Sequence, residues 1–428
     1  MAKAFVQSVG TGTRPDQDIT QPLLWHWRKS GAGFTVWIAS EQSRPYAERM
    51  ARDLGLPPDA HTIRIVSDPD DVETVYRECL TLFRDLNRRG FGPDTIEVDY
   101  TSGTKAITAG LVLAAVTHRC GTISYISGQR FAGTVISGTE RLVLIEPRRI
   151  WADEQLRLAG EFCRVQRFDA ALQLLGDLNP AWLGDHERRL MEALTAVANG
   201  YGAWDRFDYA RAAGELNKLF HADVEEARPF RPNAETPARL LGLKPDTGYS
   251  ADRLADLLNN AGRRLEEGRY DDALARLYRL AEMLAQWILQ KDFGIDTAAV
   301  DLSKIPDQLR SEFAATAAST REIQIGLERD YRLLKELGHR IGHKFDEAEF
   351  RGIGVLLKKR NVSLLAHGLT PISKGDVASL YQKLRGLVAS EVTDFDDRCA
   401  ELEFPWRRTS QPGNSPHPCP LPPGEREK

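Results

Sequence analysis

Small polar residues and one lysine lie where a predicted strand meets a predicted helix. In the stretch 98–116, VDYTSGTKAITAGLVLAAV, this junction consists of Thr101, Ser102, Gly103, Thr104 and Lys105. Glycine permits a tight turn, hydroxyls form hydrogen bonds, and the first N–H groups of a helix are unpaired at the positive end of its dipole. The junction therefore predicts a site for a phosphate or another anion. The spacing of a Walker A loop is absent, so a standard NTPase is not indicated.

A second candidate site lies in the stretch 358–369, KKRNVSLLAHGL. Arg360 and His367 are seven residues apart, which on a helix returns to within roughly 20° of the same face. Gly368 and Pro371 are predicted to end that helix. Arginine holds a phosphate and histidine moves a proton near neutral pH, so the pair suits cleavage of an RNA phosphodiester.

The chain contains a rival pair with the same spacing, Arg332 and His339 in RLLKELGHRIGH. Gly338 and Gly342 flank this histidine in a way that is more typical of close helix packing than of a catalytic face. His339 and His343 are also four residues apart, as in a metal pair, but neither a third ligand nor an H-E-x-x-H pattern accompanies them. We therefore expect no metal site and favour the first pair.

Composition sets the broad class of the protein. The chain has 428 residues, 42% hydrophobic and 28% charged, which predicts a globular protein with more than one domain. No apolar run of membrane-spanning length and no signal peptide is seen, so we expect a cytoplasmic protein without membrane association. The net charge of −4 argues against nonspecific coating of nucleic acid but leaves a local basic groove open. The five cysteines are widely spaced and are interpreted as buried or incidental thiols.

Residues 1–150 alternate strand and helix patterns, as in an α/β Rossmann-like domain with a mostly parallel sheet. The predicted strands are AFVQSV, FTVWIA, HTIRIV, TIEVDY and TISYIS, followed by a hairpin around AGTVISGTERLVLIE. Ligands of such sheets lie beyond the carboxyl ends of the strands, where the strand order reverses. Two loops are expected at this edge. The first is 8–13, which contains Gly10, Thr11 and Gly12, and the second is 101–105. The segment 126–130 is a candidate third wall.

The sequence after residue 150 predicts an all-α structure. We divide it into a helical connector at 151–247, a helical domain at 248–408 and a disordered, proline-rich tail at 409–428. The boundary near 247 rests on a stretch rich in proline and polar residues, 225–250, that predicts a loop.

The combination of these sites resembles a known family, the CRISPR-associated type III ancillary nucleases with an N-terminal CARF domain and a C-terminal HEPN domain. The segment DYTSGTKAITAGL is similar to the CARF signature after the fourth strand, and RNVSLLAH is similar to the HEPN motif R-x(4–6)-H. The CARF likeness covers roughly the first 150 residues.

The resemblance implies a function and two sets of residues. Such proteins sense cyclic oligoadenylate and respond by cutting RNA. Gly10, Thr11, Gly12 and residues 101–105 would line the ligand pocket, and Arg360, Asn361 and His367 would form the nuclease site. The ribose 2′-hydroxyl would be the nucleophile, leaving a 2′,3′-cyclic phosphate without a metal or cofactor. A cyclic tetra- or hexa-adenylate has twofold symmetry that matches a homodimer.

Two other functions remain open from the sequence. A transcription regulator with a similar sensor would need a compact helix-turn-helix unit, and the C-terminal domain is long and mixed in charge. A metal-dependent DNase with a similar sensor would need an E-x-K element, which GPDTIEVDY lacks. The ring size of the activator, the base preference of cleavage and any slow degradation of the activator by the sensor are not fixed by these patterns.

Overall fold

The computed structural model describes residues 3–12, 19–131, 134–242, 249–316, 323, 325–345, 353–362, 369 and 371–410, and for residues 131, 134, 315–316, 358–362 and 408–410 it describes the backbone alone. The chain forms two compact units. The first contains residues 1–161 and 173–188, and the second contains residues 162–172 and 189–428.

A six-stranded sheet forms the centre of the first unit. Its strands are β1 (Ala4–Val9), β2 (Phe34–Ala39), β3 (His61–Ile65), β4 (Ile96–Asp99), β5 (Thr122–Ser127) and β8 (Arg141–Ile145). Their order is β3-β2-β1-β4-β5-β8, with β1 to β5 parallel and β8 antiparallel to β5. The five predicted strands are confirmed. The strand order reverses between β1 and β4, as expected for the ligand-binding edge.

Helices cover both faces of this sheet. On one face α1 (Thr20–Ser30) and α2 (Arg44–Asp53) bury Leu23, Leu24 and Met50 with Trp37 of β2. On the other face lie α3 (Val72–Arg88) and α4 (Lys105–Thr117), whose apolar residues pack on Val98 of β4. Because both faces are covered, the central strands are mostly apolar and do not alternate between apolar and polar residues.

The predicted hairpin at 132–146 is wrong in its pairing. The run at 141–145 does become an antiparallel strand, but its partner is β5, with Tyr125 opposite Val143. A separate two-stranded ribbon joins β6 (Arg130–Phe131) to β7 (Thr134–Val135). Pairing with β5 extends the main sheet, which a local hairpin would not do.

The rest of the described chain is helical, as predicted. The α-helices are α5 (Pro147–Arg164), α6 (Phe168–Gly176), α7 (Asp185–Asp205), α8 (Tyr209–Asn217), α9 (Thr236–Gly242), α10 (Ala251–Glu266), α11 (Tyr270–Phe293), α12 (Asp307–Thr316), α13 (Leu327–Glu336), α14 (Arg340–Lys344), α15 (Ile353–Val362), α16 (Lys374–Ala389) and α17 (Phe395–Leu402). Short 3₁₀ segments lie at Pro93–Thr95, Pro180–Trp182, Lys218–Phe220, Glu225–Phe230, Leu302–Lys304 and Pro405–Ser410.

Two predictions about irregular segments have mixed outcomes. The stretch 225–250 was expected to be a loop, but it contains the 3₁₀ segment Glu225–Phe230 and α9. Proline is tolerated in the first turn of a helix, which is where Pro237 lies in α9. Residues 243–248 and residues 411–428 of the predicted tail lie outside the described residues.

The second unit is organised around α11, which packs against α10, α13, α15 and α16. A buried charged cluster joins the end of α7 to α10: Asp205 binds the guanidinium groups of Arg263 at 2.9 Å and Arg264 at 2.6 Å. The Arg263 guanidinium also lies 4.0 Å from the centre of the Phe404 ring. Paired charges satisfy one another in the core, so this cluster fixes the position of α10. Cys79, Cys120, Cys163 and Cys399 are buried free thiols, as expected, and Cys419 lies outside the described residues.

Candidate functional site

The loops after β1 and β4 meet at the point where the strand order reverses. The backbone N–H of Gly10 donates a hydrogen bond of 3.1 Å to Oγ of Ser102. The structure therefore brings together two groups of predicted ligand-binding residues that lie about ninety positions apart in the chain.

Glycine is required at this meeting point. A Cβ atom on Gly10 would lie 2.8 Å from the backbone nitrogen of Gly103 and 3.1 Å from Oγ of Ser102. Gly103 has a φ of +125° and Gly12 a φ of +78°, which side-chain-bearing residues rarely adopt. Glycines at these positions therefore allow the two loops to approach each other closely.

The first turn of α4 follows the second loop directly. Oγ1 of Thr104 caps the helix by accepting a hydrogen bond of 3.1 Å from the N–H of Ile107, and it also donates to the carbonyl of Pro69. Lys105 is the first residue of α4 and its side chain is exposed. No acidic residue occupies this first turn. Exposed N–H groups, the helix dipole and the lysine charge together favour an anion here.

A buried polar network lies directly beneath the second loop, and sequence reasoning missed it. Asp99, at the end of β4, is fully buried and accepts a 2.8 Å hydrogen bond from the N–H of Thr101 through Oδ1. Its Oδ2 lies 2.8 Å from Nδ1 of His26 on α1, and Nε2 of the same imidazole lies 2.9 Å from Oε1 of Glu97. The available signal was the pair of carboxylates, two positions apart, in an otherwise apolar central strand.

This environment favours the charged form of the imidazole. Burial opposes the charge, but hydrogen bonds and attraction from Asp99 and Glu97 outweigh it and raise the pKa of His26 to about 9. His26 is therefore an imidazolium at neutral pH.

The end of β5 also reaches the second loop. The backbone N–H of Ile126 donates a 2.9 Å hydrogen bond to Oγ1 of Thr101. Nearby, the rings of Tyr100 and Tyr125 are stacked with their centres 5.4 Å apart, and the Arg130 guanidinium lies over Tyr125. The expected third segment, 126–130, therefore adjoins the loop at Ile126.

The candidate nuclease residues lie at and beyond the end of α15. Arg360 and Asn361 belong to α15, of which the backbone is described at these positions. His367 lies outside the described residues, so its placement on the face of Arg360 stays a prediction. Helix α15 itself is anchored in the helical core through Ile353 and Leu357, which are buried.

The rival pair has structural partners instead. Arg332 on α13 forms a 2.7 Å ion pair with Glu312. His339 precedes α14, where its Nδ1 accepts a hydrogen bond from the N–H of Ile341 as the helix cap, and its Nε2 lies 3.5 Å from Asp292. The chain turns between them, so the two residues do not share one helix.

The glycines around the rival pair behave as predicted. Gly338 has a φ of +77°, and a Cβ atom on Gly342 would lie 2.3 Å from the backbone nitrogen of Lys335. These glycines serve a tight turn and close packing.

Two other kinds of feature are absent from the described ranges, a metal site and a membrane-spanning helix. No group of three or more His, Cys, Asp or Glu side chains there is arranged to hold a metal ion. No helix among the same residues is both long and apolar enough to span a bilayer.

Comparison with known proteins gives two family matches. Residues 249–391 match the model of the Csm6 HEPN domain, and residues 151–238 match that of the Csm6 6H domain. The first match includes the α15 segment and the R-N-x(5)-H motif.

Two individual proteins are similar to the chain along most of its length. The CRISPR system endoribonuclease Csm6 of Thermus thermophilus is 26% identical over 452 residues, covering 98% of this chain and 89% of the relative. The structure of Enterococcus italicus Csm6 bound to cyclic hexa-2′-fluoro-hexa-dAMP is 13% identical, with a TM-score of 0.60 over 95% of this chain and 100% of that one. The structural match confirms the expected fold, an α/β Rossmann-like domain followed by helical domains.

Proposed function

We propose that the chain is an endoribonuclease of type III CRISPR antiviral defence, because it belongs to the CRISPR-associated nucleases that combine a CARF sensor with a HEPN domain. In this proposal, cyclic oligoadenylate activates the enzyme, which cuts single-stranded RNA in the cytoplasm. The observation that carries the proposal is the match of residues 249–391 to the Csm6 HEPN domain, since that segment contains Arg360, Asn361 and His367.

The sensor site of the proposal consists of Gly10, Thr11, Gly12 and residues 101–105. The hydroxyl of Ser102 and backbone N–H groups of these loops other than those of Gly10 and Thr101 would donate to the phosphates and riboses of the ring, and Lys105 would supply a positive charge. The contact between Gly10 and the second loop supports this assignment, because it brings the two loops together.

The nuclease site of the proposal consists of Arg360, Asn361 and His367. Arginine would hold the scissile phosphate, and histidine would transfer a proton during attack of the ribose 2′-hydroxyl on phosphorus. The 5′-oxygen of the next nucleotide leaves and takes up a proton. The products would be a 2′,3′-cyclic phosphate and a 5′-hydroxyl, and no metal is needed for these steps.

A homodimer completes the proposal. One Arg/His pair makes a sparse active site, so two facing copies would build a composite one, and a C2 dimer also matches the symmetry of a cyclic tetra- or hexa-adenylate. Val355 on α15 and Leu369 are large apolar side chains that are 65% and 86% exposed, and an interface beside the motif would cover them. The ligand would act by binding more tightly to the active arrangement of the dimer.

A cleavage assay with purified protein tests the proposal. Labelled single-stranded RNA and DNA are incubated with and without cyclic tetra- or hexa-adenylate, each with and without EDTA. We expect RNA cleavage that requires an activator and persists in EDTA, with 2′,3′-cyclic phosphate ends. Cleavage of DNA that EDTA abolishes would indicate the metal-dependent DNase, and ligand-dependent binding of duplex DNA without cleavage would indicate the transcription regulator.

A further inference from the structure

The buried histidine on α1 has carboxylate partners at both ring nitrogens. His26 is fully buried, with Nδ1 at 2.8 Å from Asp99 and Nε2 at 2.9 Å from Glu97. A neutral imidazole carries one N–H, so one nitrogen lone pair would then face a carboxylate at hydrogen-bond distance. With both carboxylates ionised, only the imidazolium satisfies this geometry, because it donates at both nitrogens.

Asp99 links this imidazolium to the ligand loop. Its Oδ2 accepts from His26 and, at 2.8 Å, from Nε2 of Gln7. Its Oδ1 accepts from both the N–H and the hydroxyl of Thr101. One carboxylate therefore connects α1 and β1 with the first residue of the predicted loop.

The donor and acceptor of each hydrogen bond in the network can be assigned as far as β5. Because Asp99 is an acceptor, the hydroxyl of Thr101 must donate to it, which leaves the oxygen of that hydroxyl to accept from the N–H of Ile126. Gln7 is oriented in turn by Nε1 of Trp37, which donates to its Oε1 at 3.1 Å. Loss of the charge on His26 would leave Asp99 without its charged donor and would weaken the support of the Thr101 turn.

The charges near the ligand loop give a second reason why His26 should be an imidazolium. Asp99 and Glu97 place two carboxylates directly beneath a loop that is proposed to bind a ring of phosphates. Phosphates and carboxylates repel each other most strongly where water is excluded. The imidazolium compensates one of the two charges and thereby lowers that repulsion.

We propose that His26 is a positioning residue of the sensor: as an imidazolium between Asp99 and Glu97 it holds Asp99, and through Asp99 the 101–103 turn that receives the ligand. The inference rests on the proposed function, since it assigns the network to binding of cyclic oligoadenylate. His26 does not touch the ligand, and it acts through Asp99 and Thr101.

Substitution in the full-length chain tests the inference. His26→Gln retains polar groups but removes the charge, and we expect it to weaken binding of cyclic tetra- or hexa-adenylate about tenfold or more in calorimetry. Adding Glu97→Gln should recover part of the loss, because one uncompensated carboxylate is removed. A role in packing alone predicts no such recovery. His221→Gln is the control, because this exposed histidine follows the 3₁₀ segment Lys218–Phe220 in the second unit and takes no part in the network.

The outcomes separate the inference from the proposed function. Wild-type affinity in His26→Gln would overturn the inference alone, as would a lowered melting temperature with unchanged affinity. Absence of binding by the wild-type chain would overturn both. Long-range ¹H–¹⁵N NMR of the wild-type imidazoles near pH 7 does not depend on the folding of a variant: two protonated ring nitrogens in His26 are expected, and a neutral ring would contradict the inference.

Discussion

Replacement of Gly10 by alanine tests whether the two sensor loops depend on their close approach. The added Cβ would lie 2.8 Å from the nitrogen and 3.0 Å from the Cα of Gly103, and both are backbone atoms that cannot rotate away. The loops must therefore separate, and the 3.1 Å hydrogen bond from Gly10 to Ser102 is strained or lost. Such a partly buried bond contributes about 1 kcal/mol, and displacement of the second loop adds to the loss. We expect the affinity for cyclic oligoadenylate to fall about tenfold, which corresponds to about 1.4 kcal/mol.

The assay is calorimetric titration of the full-length chain with cyclic tetra- and hexa-adenylate, together with thermal unfolding. Gly92→Ala is the matched control, because it adds the same methyl group in the same unit, has no atom within 4 Å of the new Cβ, and has an ordinary φ of −65°. Unchanged affinity in Gly10→Ala, with Gly92→Ala also unchanged, would refute the reasoning that the loops form one site.

Three further predictions concern the sensor charge, a buried carboxyl group and the dimer. Lys105→Ala should weaken binding of cyclic oligoadenylate by about 1.5–3 kcal/mol in calorimetry, as expected for a hydrogen bond to a charged group, and unchanged affinity would remove Lys105 from the site. Burial and the Glu282 carboxylate, opposed by Arg279, raise the pKa of Asp330 from 3.8 to about 7, and its side chain has no hydrogen-bond partner among the described residues. The folded chain thus holds a proton that the unfolded chain has released, so this residue lowers the free energy of unfolding as the pH rises from about 4 to about 7. The free energy of unfolding of Asp330→Asn, measured in urea, should rise relative to that of the wild type by on the order of 4 kcal/mol over that range. Parallel pH profiles of the two proteins would contradict this account. Val355→Asp should shift the chain toward monomer in sedimentation, while Val165→Asp, at a site that is 61% exposed, should not.

The sheet and its ligand edge could be predicted because their signals are local. Parallel strands covered on both faces are mostly apolar, as the fully buried residues of β1 and β2 show. The loops that follow β1 and β4 carry glycines and hydroxyls in sequence, so their chemistry was visible before their contact was known. The pairing of β8 with β5 was missed because the choice of strand partner depends on the whole sheet.

The network of His26 could not be predicted, because its members lie far apart in the chain. His26 and Asp99 are 73 positions apart, and a single histidine in a helix carries no signal for its partners. Spacing also failed to distinguish the two Arg/His pairs. The turn at Gly338 removes Arg332 and His339 from a common helix, and only the glycine pattern indicated it.

The most direct test of the account compares His367→Ala with His339→Ala in the activator-dependent RNase assay. Loss of a proton-transfer group costs roughly 10²–10⁴-fold in rate, so His367→Ala should lose ligand-stimulated cleavage while its folding and activator affinity stay at the wild-type level. His339→Ala removes a helix cap and the contact with Asp292 and should retain most of the activity. If His367→Ala keeps full activity and His339→Ala loses it, the site lies one helix away. If neither histidine matters and EDTA abolishes cleavage, the HEPN mechanism is contradicted.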